Sequence, residues 1–228
     1  MSESPRAQSD KNWTAFYVNR RDPMPWPNEP MLKTLFGSYL SNPRKPRSGD
    51  KVLDVGCGLG QNLMPFAAIG CDVFGIELTQ DMADLAKAKL GSRGVSAEIK
   101  EGRNRAIPFP DNSFDYVLSV NTLHYESDPG SHAEAIREFY RVLKPGGMLY
   151  ISTVGPLHDI RTRAEPLGGK LFRIANFDFR NGEIMMFLDA PSELAEYLRQ
   201  SFRTVEAGYN TEQLMTRTLD FLIAAATK

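Results

Sequence analysis

Residues 52–62, Val52-Leu53-Asp54-Val55-Gly56-Cys57-Gly58-Leu59-Gly60-Gln61-Asn62, run from an apolar strand through a glycine-rich turn into the start of a helix. Glycines at such a turn let the backbone approach a ligand closely, and the following helix presents unpaired N–H groups. Dinucleotide-binding proteins use a turn of this kind as well, so neighbouring residues must separate the possibilities. The G-x-G-x-x-G spacing requires glycine at 61, where the chain carries Gln61. Asp54, two residues ahead of the first glycine, would repel a pyrophosphate and attract an ammonium group. Glu77, at the end of the next apolar run, falls where a ribose-binding carboxylate sits and can accept hydrogen bonds from both ribose hydroxyls. Its competing reading is an exposed residue capping the helix that follows.

Outward from this stretch, short apolar runs alternate with helical segments, the pattern of βαβ units around a mostly parallel sheet. Strands are expected at 51–55, 72–76, 95–99, 114–120 and 147–153, and helices near 61–69, 80–90 and 132–143. Leu143-Lys144-Pro145-Gly146-Gly147 should end the last helix and start the fifth strand, since proline cannot continue a helix and glycine supplies the turn. After Val154 the rhythm breaks. An insertion over the sheet edge is expected at 155–190, with Asn181-Gly182 as a hairpin signal. Ser192 is a candidate cap for a helix through Arg199, and 202–207 with 218–225 would supply two closing strands. The expected fold is therefore α/β, a doubly wound, mostly parallel, seven-stranded sheet.

Upstream, residues 1–12 are polar and read as a disordered tail, and 41–50, with prolines, glycine and basic residues, as a surface connector. Between them, Trp13 to Leu40 is too rich in aromatic and apolar residues for a free tail. Phe16 to Pro27 reads either as a lid over the site or as packing across the sheet face, and the whole Trp13 to Leu40 segment is a candidate homodimer contact. Residues 51–228 form the main domain.

With 228 residues, 42% hydrophobic and 24% charged, the chain can bury one core. A net charge of -1 gives no general attraction to nucleic acid or anionic membranes. Cys57 and Cys71 lie in segments that read as interior, as reduced thiols usually do. The N-terminus lacks an apolar signal run and no segment reaches the ~20 apolar residues of a membrane span, so a cytoplasmic protein is expected. The three histidines are scattered and no carboxylate cluster has ligand spacing, so no metal site is expected.

Four blocks, VLDVGCGLGQN (52–62), VFGIELTQDM (73–82), IPFPDNSFDYVLSVNTLHY (107–125) and RVLKPGGMLYIST (141–153), resemble class I S-adenosylmethionine-dependent methyltransferases and occur in that family's order. The resemblance implies a Rossmann-like methyltransferase fold and S-adenosylmethionine as cofactor. By it, Asp54, Gly56, Cys57 and Gly58 would surround the methionine end, Glu77 would hold the ribose, and Leu78 and Met82 would pack beside the adenine. Many relatives open the third block with Gly-Asp, the aspartate meeting the adenine amino group. Here Gly102 is followed by Arg103, a donor only; the alternatives are that Arg103 stacks on the base or that Asn104 supplies the missing acceptor through its amide oxygen. Ser119 and Asn121, at the carboxyl end of the fourth strand, would line the cleft.

Methyl transfer from a sulfonium needs chiefly alignment of acceptor and methyl group, and a base only where the acceptor must lose a proton. His124 and Tyr125 follow the fourth strand, where relatives often place acceptor-side residues, and imidazole suits deprotonation near neutral pH. His158 is a second candidate, and His132 is assigned to a helix start. The expected reaction is methylation of an oxygen or nitrogen of a small-molecule acceptor, a metabolite or sugar. A non-catalytic binding or scaffold module on the same fold is the alternative, and a nicotinamide-dependent oxidoreductase is disfavoured by Gln61 and Asp54.

Overall fold

Strand β1 (Lys51–Val55) is the centre from which the molecule is built. Its side chains alternate between two cores, Val52 facing one and Leu53 and Val55 the other, while Asp54 shares the Val52 face. The computed structural model describes residues 5–18, 24–127 and 129–228. β1 pairs in parallel with β2 (Asp72–Glu77) on one side and β4 (Phe114–Val120) on the other. β3 (Ala97–Glu101), β5 (Leu143–Val154), β9 (Thr204–Leu214) and β10 (Arg217–Thr227) complete a seven-stranded sheet in the order β3-β2-β1-β4-β5-β10-β9. β10 runs antiparallel to both neighbours, and the other pairings are parallel.

Helices cover both faces. On one, α5 (Pro129–Val142) and α7 (Pro191–Arg199) bury Ile136, Phe139, Leu194 and Leu198 against Val117, Leu149 and Ile151. The α5 residues Ala135, Ile136, Phe139 and Val142 fall on one helical stripe, which fixes the face it turns inward. On the other, α2 (Glu29–Phe36), α3 (Met64–Ala68) and α4 (Gln80–Gly91) pack Met31, Leu35, Phe66, Ala83 and Leu90 on Val52, Tyr116, Leu118 and Tyr150. Strand order reverses between β1 and β4, so a crevice opens at their carboxyl ends, where open α/β sheets bind ligands. A small antiparallel sheet of β6 (Glu165–Gly168), β7 (Leu171–Arg173) and β8 (Ile184–Met186), with the short helix α6 (Asp159–Thr162), roofs one side of that crevice.

Several expectations need correction. The tail expected to be disordered is helical from Pro5, within α1 (Pro5–Val18). Its order comes from tertiary contacts of Ser9, Asp10 and Trp13, which polarity along the chain does not register. β3 begins at Ala97 because the N–H of Val95 still closes the end of α4 on Leu90 O (3.1 Å). α3 begins late, at Met64, with Pro65 in its first turn, where a missing N–H costs nothing. Ser192 is not the cap of α7: Pro191 opens the helix, and Glu193 reaches back to the N–H of Asp189 (2.8 Å). Asn181-Gly182 is not a two-residue hairpin turn but the end of a longer connection from Ile174 to Glu183, closed by Ile174 N–H to Glu183 O (2.8 Å). β9 runs past Ala207 to Leu214, because an edge strand facing solvent carries Asn210, Glu212 and Gln213 rather than an apolar run.

Candidate functional site

The glycine turn is locked by the sheet beneath it. The N–H groups of Gly56 and Cys57 both donate to Ile76 O at the end of β2 (2.9 and 3.1 Å). Gly56 holds φ +72°, and a Cβ there would lie 2.6 Å from Thr122 Cγ2, so glycine alone fits. Below the turn Asp54 is fully buried, and neither carboxylate oxygen has a hydrogen-bond partner in good geometry. Burial raises its pKa from 3.8 to about 8, with the nearby Asn62 amide offsetting part of the effect and the Glu77 charge adding to it. Glu77 is also buried, 4% exposed, and accepts from Gly58 N–H (2.5 Å) and Leu78 N–H (3.1 Å). Burial pushes it up to about 7 despite those two donors. Glu77 is thus buried at the cavity wall, not an exposed helix cap.

Two buried carboxylates with raised pKa values beside a glycine turn suit a ligand with a cationic group and hydroxyls, and would reject a pyrophosphate. The orphaned oxygens of Asp54 are the specific observation that matches the ammonium group of S-adenosylmethionine.

A cavity of about 1090 Å³ opens at this point. Gly56, Asn62, Glu77, Leu78, Met82, Arg103, Asn104 and Asn121 line it among the expected cofactor residues and their neighbours. Asp54, Cys57, Gly58 and Ser119 lie behind its wall. Cys57 turns its sulfur toward Gly75, where a Cβ would meet it at 2.8 Å, and Ser119 is spent on Thr122 Oγ1 (2.8 Å). Asn121 sits at φ +60°, left-handed backbone that asparagine adopts more readily than most residues and that has support here. The support is Ser152, whose hydroxyl donates to Asn121 Oδ1 (2.8 Å) and accepts from its N–H (3.1 Å).

The loop after β3 is held beside Glu77 by Gly102 N–H to Glu77 O (2.8 Å) and closed by the Arg103–Ala106 bridge. Asn104 donates its amide protons to Thr122 O and Glu126 Oε1 (both 3.3 Å), which directs its oxygen elsewhere. Arg103 does not stand alone: its guanidinium grips Asp10 of α1 through both oxygens, at 2.5 and 3.3 Å.

The far end of the cavity contains His124, Tyr125 and His158. His124, in the 3-10 turn Leu123–Tyr125, is 2% exposed, and its Nδ1 lies 3.3 Å from Thr153 Oγ1. Burial, helped by the charge of Arg180, holds its pKa well below 6.5, so the ring is neutral at physiological pH. His158 Nδ1 accepts from Ile160 N–H (3.1 Å), capping α6, and burial lowers its pKa to about 4. Tyr125 is raised by burial and hydrogen-bonds Arg180, which the 174–183 connection sends into the cavity. His132, near the start of α5, packs edge-on against Tyr197 of α7. Among the described residues no group of His, Cys, Asp or Glu could hold a metal ion, and no helix is long and apolar enough to cross a membrane.

Asp10, Asn62, Thr122 and Arg180 were not singled out from the sequence. Asn62 and Thr122 lie within the blocks 52–62 and 107–125 and could have been found there. Asp10 and Arg180 lie outside every block, and only the folding of α1 and the 174–183 connection over the crevice brings them in.

An open sheet of this order, with a glycine turn at its switch point and a carboxylate one strand over, defines an α/β protein built to bind a nucleoside cofactor. Residues 53–151 match the family described as methyltransferase domain. Ubiquinone biosynthesis O-methyltransferase of Thiobacillus denitrificans is 31% identical over 173 residues, 75% of this chain and 69% of that protein. An uncharacterised protein of Mycobacterium tuberculosis is 33% identical over 101 residues, 44% of this chain but only 36% of that protein. An S-adenosylmethionine-dependent methyltransferase structure from Methanosarcina mazei aligns with a TM-score of 0.66 at 25% identity, covering 80% of this chain and 93% of that one. The chain belongs to the class I S-adenosylmethionine-dependent methyltransferase family, and S-adenosylmethionine is the cofactor that membership assigns to it.

Proposed function

We propose that this protein methylates an oxygen or nitrogen of a small-molecule acceptor, a metabolite or sugar. The observation that carries the reading is one cavity joining Gly56, Glu77 and Leu78 at one end to His124, Tyr125 and His158 at the other. When bound, S-adenosylmethionine supplies a methyl group activated by its sulfonium. Asp54 and Glu77 would hold its ammonium group and ribose, with Leu78 and Met82 beside the base. The acceptor would enter between His124, Tyr125 and Arg180. His124, tied through Nδ1 to Thr153 and neutral, offers Nε2 as the proton acceptor in the tautomer whose Nδ1–H donates to Thr153. Trp13 and Phe179, with ring centroids 4.8 Å apart, bring α1 and the insertion together over this end and would exclude water from it.

Support for an oxygen acceptor comes from the Thiobacillus denitrificans relative, whose name specifies O-methylation. The test is calorimetric titration with S-adenosylmethionine and S-adenosylhomocysteine, followed by radiolabelled methyl transfer to phenols, sugar hydroxyls and amines. Micromolar binding with turnover on an oxygen or nitrogen acceptor is expected. Binding without turnover on any acceptor class would favour the non-catalytic module, and the absence of binding would refute the reading.

A further inference from the structure

We propose that Asp10, on α1, is the residue that recognises the adenine amino group of the cofactor, with Arg103 as the residue that positions it. The inference rests on the cofactor reading above and adds to it a residue outside the methyltransferase domain proper.

The cavity end beyond Glu77 is walled by Leu78, Met82, Gly102, Arg103 and Asn104 from the domain, and by Ser9 and Asp10 from α1. A purine placed there presents an exocyclic amine, a donor that needs an acceptor once desolvated. The loop position adjacent to Gly102 is filled by Arg103, which can only donate. Asp10 supplies the charge that this loop lacks. It is anchored by both nitrogens of the Arg103 fork, and a carboxylate in such a pair keeps about two of its four acceptor positions for another donor. The pair is partly withdrawn from solvent, with the Asp10 side chain 20% exposed.

The helix that carries Asp10 is held at the same end by other contacts. Thr14 Oγ1 lies 3.3 Å from Thr79 Oγ1, the cap of α4 next to Leu78. Tyr17 approaches Gly58 so closely that a Cβ there would lie 2.9 Å from its hydroxyl. On its other flank Ser9 donates to Glu183 of the insertion (2.9 Å). Arg103 thus has a function other than stacking on the base: it imports an acid from α1. Base recognition and the closing of α1 then become one event, because the acceptor for the amine arrives only with the helix.

The test compares S-adenosylhomocysteine with its hypoxanthine analogue, which carries a carbonyl in place of the amino group, by calorimetry on the full chain. Wild type should prefer the adenine compound by roughly tenfold to a hundredfold, the value of a charge-assisted hydrogen bond. Asp10→Ala should lose most of that preference, by weakening the adenine compound while leaving the hypoxanthine one nearly unchanged. Arg103→Ala should shift in the same direction, and the double variant should lose little more preference than Asp10→Ala alone, since Arg103 acts through Asp10. Asp10→Asn, isosteric and still an acceptor, should fall between wild type and Asp10→Ala and guards against a folding defect. Equal weakening of both compounds in Asp10→Ala would make α1 a simple packing element and overturn the proposal, as would unchanged preference. If wild type binds neither compound, the cofactor reading fails together with this one; if it binds and Asp10→Ala retains the preference, only the assignment of Asp10 fails.

Discussion

Replacing Asp54 with asparagine tests the centre of the site, because a buried carboxylate without a partner leaves a measurable mark on stability. The folded pKa of about 8 lies above the ordinary 3.8, so the native state holds the proton more tightly than the unfolded chain. That contribution is complete below pH ~4 and is lost as the pH rises toward about 8. Integrated from pH 5 to pH 8, the loss is roughly 3.5 kcal/mol, an upper bound that relaxation and water entry reduce. Asparagine cannot ionise, but it leaves a buried amide whose unmet hydrogen bonds cost ~1–3 kcal/mol. Asp54→Asn should therefore be near wild type in stability at pH 5 and about 3 kcal/mol more stable at pH 8. Urea unfolding followed by tryptophan fluorescence at the two pH values reads this directly. Cofactor binding should move the opposite way, weakened tenfold to a hundredfold, or ~1.5–3 kcal/mol. Wild type should also release about one more proton than the variant on binding at pH 7, since a cationic ligand lets Asp54 ionise; titration in buffers of different ionisation enthalpy measures it. An unchanged pH slope together with undiminished binding in Asp54→Asn would refute the reasoning.

His124→Ala should lower turnover by ~10²–10⁴ on an acceptor that must lose a proton, with S-adenosylhomocysteine affinity preserved. Because the imidazole is held well below its usual pKa, the wild-type rate should show no His124 inflection between about pH 6 and 8, and a bell centred there would contradict this role. Gly56→Ala places a Cβ against Thr122 at an unfavourable φ, so thermal unfolding should register a loss of ~1–3 kcal/mol and cofactor binding should collapse. Arg141→Leu removes the bonds to Ile107 O and Phe109 O (both 2.9 Å) and the pair with Glu138. A drop of ~1–3 kcal/mol in unfolding free energy is expected, with affinity altered less than stability.

The βαβ rhythm from Lys51 to Val154 was legible because each element there buries one face, and burial writes its period into the residues. β1 and β4 matched their expected bounds for that reason. The glycine turn was legible because backbone at positive φ, where a Cβ would lie 2.6 Å from Thr122, demands glycine at Gly56, whereas the burial of Asp54 and Glu77 beside it was not dictated by their residue types. Polar sequence misled where contact partners are distant in the chain: α1 carries little apolar periodicity, and β9 faces solvent on an edge.

Sequence by itself determined the central parallel strands and the glycine turn after β1, since these depend on local geometry and on burial along one element. Tertiary structure alone decided that Arg103 is paired to Asp10, 93 residues away, and that Arg180 enters beside His124 and Tyr125. The physical reason is that an ion pair or a hydrogen bond between distant segments imposes no period on either, so it becomes visible only when the chain has brought the two together.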